Sequence, residues 1–481
     1  MSTSTSGWSI LPTSVAPPDA MLPEIIVPPP GSRSLALAAK LRAYEARGVT
    51  LIDPEFPIFW ERAEGANVWD ADGNRYLDFT GAFAVANLGH TAPAVRDAAI
   101  AQAGILLHAM GDVHPAALKA DLCEALSRIT FERWGLGAGK TFLANSGSEA
   151  VEAALKTALL HSGKPGVISF TGGYHGLGYG ALEAVGIDYF RAPFRAQSAR
   201  FGVQLPYPHC YRCPFECRDG FRLEGSPFPN CSTPCLEKLR SQIAATIEQR
   251  EIGCILVEPI QGRGGEITPP RDFLRILREI CDEYKVLLIL DEIYTGFHRT
   301  GKFFACEHFG VFPDIICLGK ALTGGFPLAA CVGRSDIMDA WPASSGEALH
   351  TSTMLGNPAG CAMALASIRE HEKDTTAAAA RRTGRTLRLA LEALSSPHIG
   401  QVRGVGSMLG VELIKTDGSP FPQLSVAIMY QGLKDGLILL GGGPAGNVLS
   451  FSPPFVVSED EIGYLREKLQ EYLTSLPGSI S

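Results

Sequence analysis

Between residues 141 and 332 the chain repeatedly exchanges a short run of β-branched and apolar residues for a longer stretch with helical spacing. Thr141-Phe142-Leu143-Ala144, Val167-Ile168-Ser169-Phe170, Gly253 to Val257, Val286 to Leu290, Ile315-Ile316-Cys317 and Ala329 to Val332 read as strands, and stretches such as Phe273-Leu274-Leu277-Ile280 read as helices between them. Strands that are apolar on both faces need cover on both, and helical crossovers supply it. The pattern therefore predicts an α/β architecture around a mostly parallel sheet. Ligands of such sheets gather at the carboxyl ends of the strands, which makes Asp291, directly after Val286 to Leu290, a candidate functional residue.

The 481 residues are more than one hydrophobic core usually serves, so a second domain is expected. The last 120 residues or so supply most of it: a helix-rich stretch from Ala362 to Leu394, short strands around Gly410 to Leu413 and Val448 to Phe451, and a terminal helix from Glu459 to Leu473. A strand unit from Asn67 to Phe79, turning at Ala71-Asp72-Gly73-Asn74, is expected to join it in a small α+β domain. The division expected is an extended arm over 1–32, the first part of the small domain over 33–80, a large domain over 81–350, and the rest of the small domain over 351–481.

A net charge of -8 and the lack of a long basic run argue against nucleic acid as a partner. No stretch approaches eighteen consecutive apolar residues, so no membrane span is expected. The first thirty residues are rich in Ser, Thr and Pro and lack the basic start and apolar block of a cleaved signal. Most of the twelve cysteines stand singly among apolar residues, as Cys254, Cys317 and Cys331 do, which fits buried thiols in a reducing compartment. Cytoplasm is the expected location.

Five cysteines depart from that pattern: Cys210, Cys213 and Cys217, then Cys231 and Cys235, inside a Pro- and aromatic-rich insertion at 206–236. Four thiolates from two such knuckles could close a tetrahedron on zinc. They could equally pack as small hydrophobes in an irregular excursion. The fifth cysteine fits no four-ligand count, so no metal is expected.

Lys320 lies in Pro313-Asp314-Ile315-Ile316-Cys317-Leu318-Gly319-Lys320-Ala321, a short apolar strand ending in a turn. Desolvation there would favour the free amine, which can condense with an aldehyde. Asp291 could hold a pyridine nitrogen protonated and make the ring an electron sink, so the pair suits pyridoxal phosphate (PLP). Asn145-Ser146-Gly147-Ser148-Glu149-Ala150 follows a strand and opens a helix through Val151, Leu155 and Leu159. Small residues at a helix N-terminus admit a phosphate, although an ordinary Ser-capped helix reads the same way.

These words, with Tyr174-His175-Gly176, Val257-Glu258-Pro259-Ile260-Gln261-Gly262, Asp291-Glu292-Ile293-Tyr294-Thr295-Gly296, Arg299-Thr300-Gly301, Thr353 and Gly356-Asn357-Pro358, stand in an order that resembles the class III aminotransferases. That family is a branch of the fold-type I PLP enzymes, and the resemblance runs from about Phe59 to Leu473. It implies a large domain with a mostly parallel seven-stranded sheet. It also implies PLP held as a Schiff base on Lys320, with Asp291 at the pyridinium and Ser146, Gly147 and Ser148 at the phosphate. Tyr174, with His175 beside it, would stack on one face of the ring and Ile293 on the other. Glu258 would order the pocket, and Thr353 would reach the phosphate of a neighbouring subunit, which implies a homodimer. The implied reaction passes an amino group from a primary amine or amino acid to a 2-oxo acid such as pyruvate or 2-oxoglutarate.

Departures from the family pattern concern the substrate. Leu177 stands where many relatives carry a carboxylate-gripping Arg; Arg263 and Ser450 stand where many carry a Glu and an Arg that pair. With both arginine places empty, an ω-amine donor is favoured, and Arg263 becomes the candidate for binding the acceptor's carboxylate. Tyr294 and His298 replace the usual Gln and Gly, leaving Tyr294 as a candidate partner for the ring hydroxyl. An amino-acid racemase or epimerase on the same scaffold is the alternative. A nicotinamide-dependent oxidoreductase, prompted by Gly441 to Gly446, fits worse, because that run joins two strands rather than opening a helix.

Overall fold

The computed structural model describes residues 21–216, 227–229 and 234–479. At its centre are seven strands, Gly139–Ala144 (β4), Gly166–Phe170 (β5), Gly202–Leu205 (β6), Ile252–Val257 (β7), Leu287–Asp291 (β8), Ile315–Leu318 (β9) and Ala329–Arg334 (β10). Their spatial order is β4-β10-β9-β8-β7-β5-β6. Only β10 runs antiparallel to its neighbours, so the sheet is the mostly parallel one expected.

Alternation along these strands divides the interior into two cores. Ile255, Leu288, Leu290, Ile316, Leu318 and Val332 face one core with Leu274, Leu277 and Ile280 of the helix Phe273–Tyr284. Cys254, Leu256, Ile289, Cys317 and Cys331 face the other, against Ala150, Val151, Ala154 and Leu155 of the helix Gly147–Ser162. The side-chain period of 2 thus puts the three single strand cysteines on one face, where they pack as small hydrophobes.

Two further sheets complete the described chain. Trp60–Glu64 (β1), Asn67–Asp70 (β2) and Arg75–Asp78 (β3) form a meander extended by Leu437–Ile438 (β13), parallel to β3. Ile399–Val405 (β11), Met408–Leu413 (β12), Val448–Phe451 (β15) and Leu440–Gly442 (β14) form an antiparallel sheet. Leu77 and Phe79 share a core with Leu409, Val411, Leu449 and Phe451 and with Leu465 and Leu469 of the helix Glu459–Ser475. Ser458 caps that helix through a capping box with Glu461. The glycine run at 441–446 ends β14 and begins the turn to β15, as its position between strands required.

Residues 22–27 lie along β3: Glu24 bridges Arg75, and Asn74 Oδ1 accepts from Ile26 N and Val27 N, both at 2.9 Å. Cys217 and Cys231 lie outside the described residues. No helix among the described residues is long and apolar enough to cross a membrane.

Candidate active site

The site grows from the carboxyl ends of β8 and β9. In their parallel register Asp291 pairs with Cys317, and Glu292 N donates to Cys317 O at 3.0 Å. Three residues after Cys317 the chain tightens into a 3-10 turn, Lys320–Leu322, with Lys320 at φ 46°. A bulky residue in the left-handed region stores backbone strain, a feature that collects at functional sites.

The Asp291 carboxylate is buried and held from two sides. His175 Nδ1 lies 2.8 Å from Oδ2, and Ile293 N donates to Oδ1 at 3.1 Å. Burial disfavours a charge on His175, but the hydrogen bond and charge of Asp291 outweigh it and push the imidazole up from its ordinary value. Sequence alone placed His175 beside the ring-stacking Tyr174; the structure gives it the separate task of fixing the carboxylate.

Around Lys320, burial pushes the amine down while Asp291, Glu258 and Glu266 pull it up, with burial prevailing. Its Nζ lies 4.9 Å from the centre of the Tyr294 ring. The Tyr294 hydroxyl donates to Glu266 Oε1 at 3.2 Å. The expected candidate for the ring hydroxyl is therefore engaged by a residue that sequence reasoning missed. Glu266 is only 1% exposed, and burial pushes its carboxyl well up. A buried acid in the Gly-rich run Arg263-Gly264-Gly265-Glu266-Ile267 was the available signal.

Glu258 ties two loops together: Oε1 accepts from Tyr174 N at 2.9 Å and Oε2 from Gly262 N at 3.0 Å. Burial pushes Glu258 up as well. At the start of the helix Gly147–Ser162, Ser146 accepts from Glu149 N at 3.2 Å and Ser148 Oγ accepts from Gly178 N at 3.0 Å. A Cβ on Gly147 would come within 2.8 Å of Ile293 Cδ1, so the helix start, Ile293 and the end of β8 form one tight cradle. An amine, a buried carboxylate fixed by a histidine, and the backbone N–H groups of a helix start are the groups PLP needs, and the residues fit it.

A model of the family described as Aminotransferase class-III matches residues 51–473. The chain belongs to that family. The 4-aminobutyrate aminotransferase of Mycobacterium leprae is 35% identical over 447 residues, covering 91% of this chain and 95% of that one. The leucine/methionine racemase of Thermococcus litoralis is 32% identical over 427 residues, covering 87% and 91%. Among solved structures, an (S)-enantioselective omega-transaminase from Thermomicrobium roseum superposes with a TM-score of 0.82 at 27% identity, over 92% of this chain and 99% of that one. A PLP-bound amine transaminase from an uncultivated Pseudomonas species superposes at 0.77 with 30% identity, over 91% and 98%. This class III aminotransferase is accordingly a PLP-dependent enzyme that transfers amino groups, with the fold-type I architecture.

Two other residues singled out in the sequence are exposed, although the charge of Arg263 is felt at Tyr174. Arg263 is exposed, and its Nη1 donates to Gly441 O at 3.2 Å. Thr353 is exposed and makes no hydrogen bond among the described residues.

Proposed function

We propose that this aminotransferase takes an amino group from a primary amine or ω-amino acid and delivers it to a 2-oxo acid such as pyruvate or 2-oxoglutarate, in ping-pong fashion. The observation that carries this reading is the register that sets the Lys320 amine and the Asp291 carboxylate at the ends of adjacent parallel strands. The names of the relatives support an amine or ω-amino acid donor, and Leu177 and Ser450, standing where many relatives carry arginines, favour an apolar amine.

When bound, PLP supplies an aldehyde and an electron-withdrawing ring. Lys320 is the residue proposed to anchor it and, once displaced by the donor, to carry a proton to and from the reacting carbons. Burial suits it, because only the uncharged amine can accept that proton. Asp291, aligned by His175, would keep the ring nitrogen protonated. Ser146, Gly147 and Ser148 would hold the phosphate, Tyr174 and Ile293 would sandwich the ring, and Glu258 would keep the Tyr174 and Gly262 loops in place. Arg263, with further donors beside the one given to Gly441, would grip the acceptor's carboxylate. A homodimer is part of the proposal, with Thr353 contributed to the neighbouring site. Cytoplasm is the proposed location, supported by the buried thiols Cys254, Cys281, Cys306, Cys317, Cys331 and Cys361.

Lys320→Ala should retain PLP yet turn over at least about a hundredfold more slowly, the low end of what a positioned proton carrier contributes. A near-normal rate in that variant refutes the assignment. The second reading, racemisation, is favoured by the resemblance to the leucine/methionine racemase. Supplying one enantiomer of an amino acid without an acceptor separates the two: loss of chirality with no 2-oxo acid formed selects the racemase.

A further inference from the structure

A cavity of about 470 Å³ opens between His209, Cys210, Tyr211, Pro227 and Pro229, the loop around Thr268, the helix carrying Arg385 and Arg388, and the β11 strand. None of the residues proposed to hold PLP lines it. Its wall carries three guanidinium groups, of Arg385, Arg388 and Arg403, the carboxylate of Glu392, and the polar side chains of His209, Thr268 and Gln401.

The charge there is only partly balanced. Arg388 pairs with Glu392 at 3.1 Å and also donates to Gly404 O. Arg403 shares the single carboxylate of Glu412 with Arg212. Arg385 makes no ion pair or hydrogen bond among the described residues. Among the described residues the cluster thus keeps about two uncompensated positive charges, by simple pairing of one cation with each carboxylate.

Two buried polar atoms on the same wall lack partners among the described residues: Thr268 Oγ1, on a side chain 6% exposed, and His209 Nε2. Burial, with Arg403 beside it, pushes His209 down to about 3, so the ring is uncharged at neutral pH. Buried polar atoms without partners are costly, and the usual remedy is a ligand or an ordered water. Cationic forks facing unsatisfied hydroxyl and imidazole groups match an oxyanion, whose oxygens accept from all of them.

We propose that this cavity is a second binding site, separate from the PLP cradle, for a small molecule carrying a phosphate or carboxylate group. The test is calorimetric titration of the PLP-loaded protein with pyrophosphate and with citrate, which distinguish a phosphate from a carboxylate source. At least one should bind with a Kd below roughly 1 mM at moderate salt. Arg385→Ala should weaken that binding about tenfold, the value of one lost charge-assisted hydrogen bond, with the PLP absorbance and turnover unchanged. Thr268→Val, which removes the unpartnered hydroxyl without changing shape, should weaken it too. Absence of heat from both probes, or equal affinity in wild type and both variants, overturns the proposal.

Discussion

Glu292 follows Asp291 directly, and its carboxylate accepts from Ala305 N and Cys306 N, both at 2.8 Å, and from the Thr295 hydroxyl at 2.6 Å. Burial nevertheless pushes it up to about 7. Between its ordinary value of 4.5 and about 7 the folded protein therefore holds a proton that the unfolded chain has released. Stability from this group is fully present below pH 4.5 and is lost as pH rises to about 7. Relative to Glu292→Gln, wild type should lose up to about 3 kcal/mol across that window, read by urea denaturation at pH 5 and pH 8. Parallel curves for the two proteins contradict it. Arg299 is a different buried charge, wholly enclosed and pushed down to about 10 by burial. It donates to Pro453 O at 2.7 Å, to Ser407 Oγ at 3.0 Å and to Asn87 Oδ1, joining the β8 side of the site to the C-terminal strands and to the segment after β3. An ammonium cannot reproduce this planar fork, so Arg299→Lys should destabilise by about 2–4 kcal/mol in the same assay.

At the scale of elements, the turn Tyr174-His175-Gly176 meets the start of the helix Gly147–Ser162. Gly176 sits at φ +111°, where a side chain is strained, and a Cβ there would lie 2.5 Å from Ser148 Cβ. Gly176→Ala should push Ser148 off the proposed phosphate site and weaken PLP about tenfold while leaving helix content intact; unchanged PLP titration curves would show that the cradle tolerates the shift. Much of this framework was readable beforehand. The inner strands β7, β8 and β9 are buried along their whole length and so appear as unbroken apolar runs, and Asp291 and Lys320 stand at strand ends that the runs themselves delimit; the edge strand β6, half-buried and carrying Gln204, gave no such run and was not read. What escaped were features created by contacts between distant segments. The left-handed turn through Gly81, Ala82, Phe83 and Ala84 is one. Nothing in Ala82-Phe83-Ala84 signals positive φ; Asp78 Oδ2 accepting from Ala82 N at 2.9 Å, and Ser452 O filling the space beside Gly81, hold the turn there. The Tyr294–Glu266 bond is another, since it joins residues 28 apart and takes up the hydroxyl that sequence logic aimed at the cofactor.

For the whole molecule, the decisive question is how a site takes shape when one of its proposed members, Thr353, lies on an exposed face. Ile105, Leu107, Met110 and Val113 are exposed and apolar, and this segment is fastened to the Thr353 segment. Asn357 Nδ2 donates to Leu107 O at 3.0 Å, and the Thr351 hydroxyl to Asp112 Oδ2 at 2.9 Å. Leu349 and Met354 add exposed apolar surface from the second segment. A clustered apolar surface of this kind marks a contact surface, and in a two-fold dimer each residue of it meets its partner twice over. Leu107→Asp with Met110→Asp therefore introduces four buried charges per dimer. If the proposed homodimer forms through this face, the double variant should sediment as a single chain at micromolar concentration and wild type as two. PLP should bind it more weakly in parallel, because Thr353 would no longer be supplied to the neighbouring site. Lys320→Ala is the control that should stay dimeric while losing turnover. If the double variant remains a dimer with its PLP intact, the interface lies elsewhere and Thr353 has no part in the site. If it falls apart but binds PLP as wild type does, the cradle of Asp291, His175, Ser148 and Lys320 is complete within one chain, and Thr353 serves assembly alone.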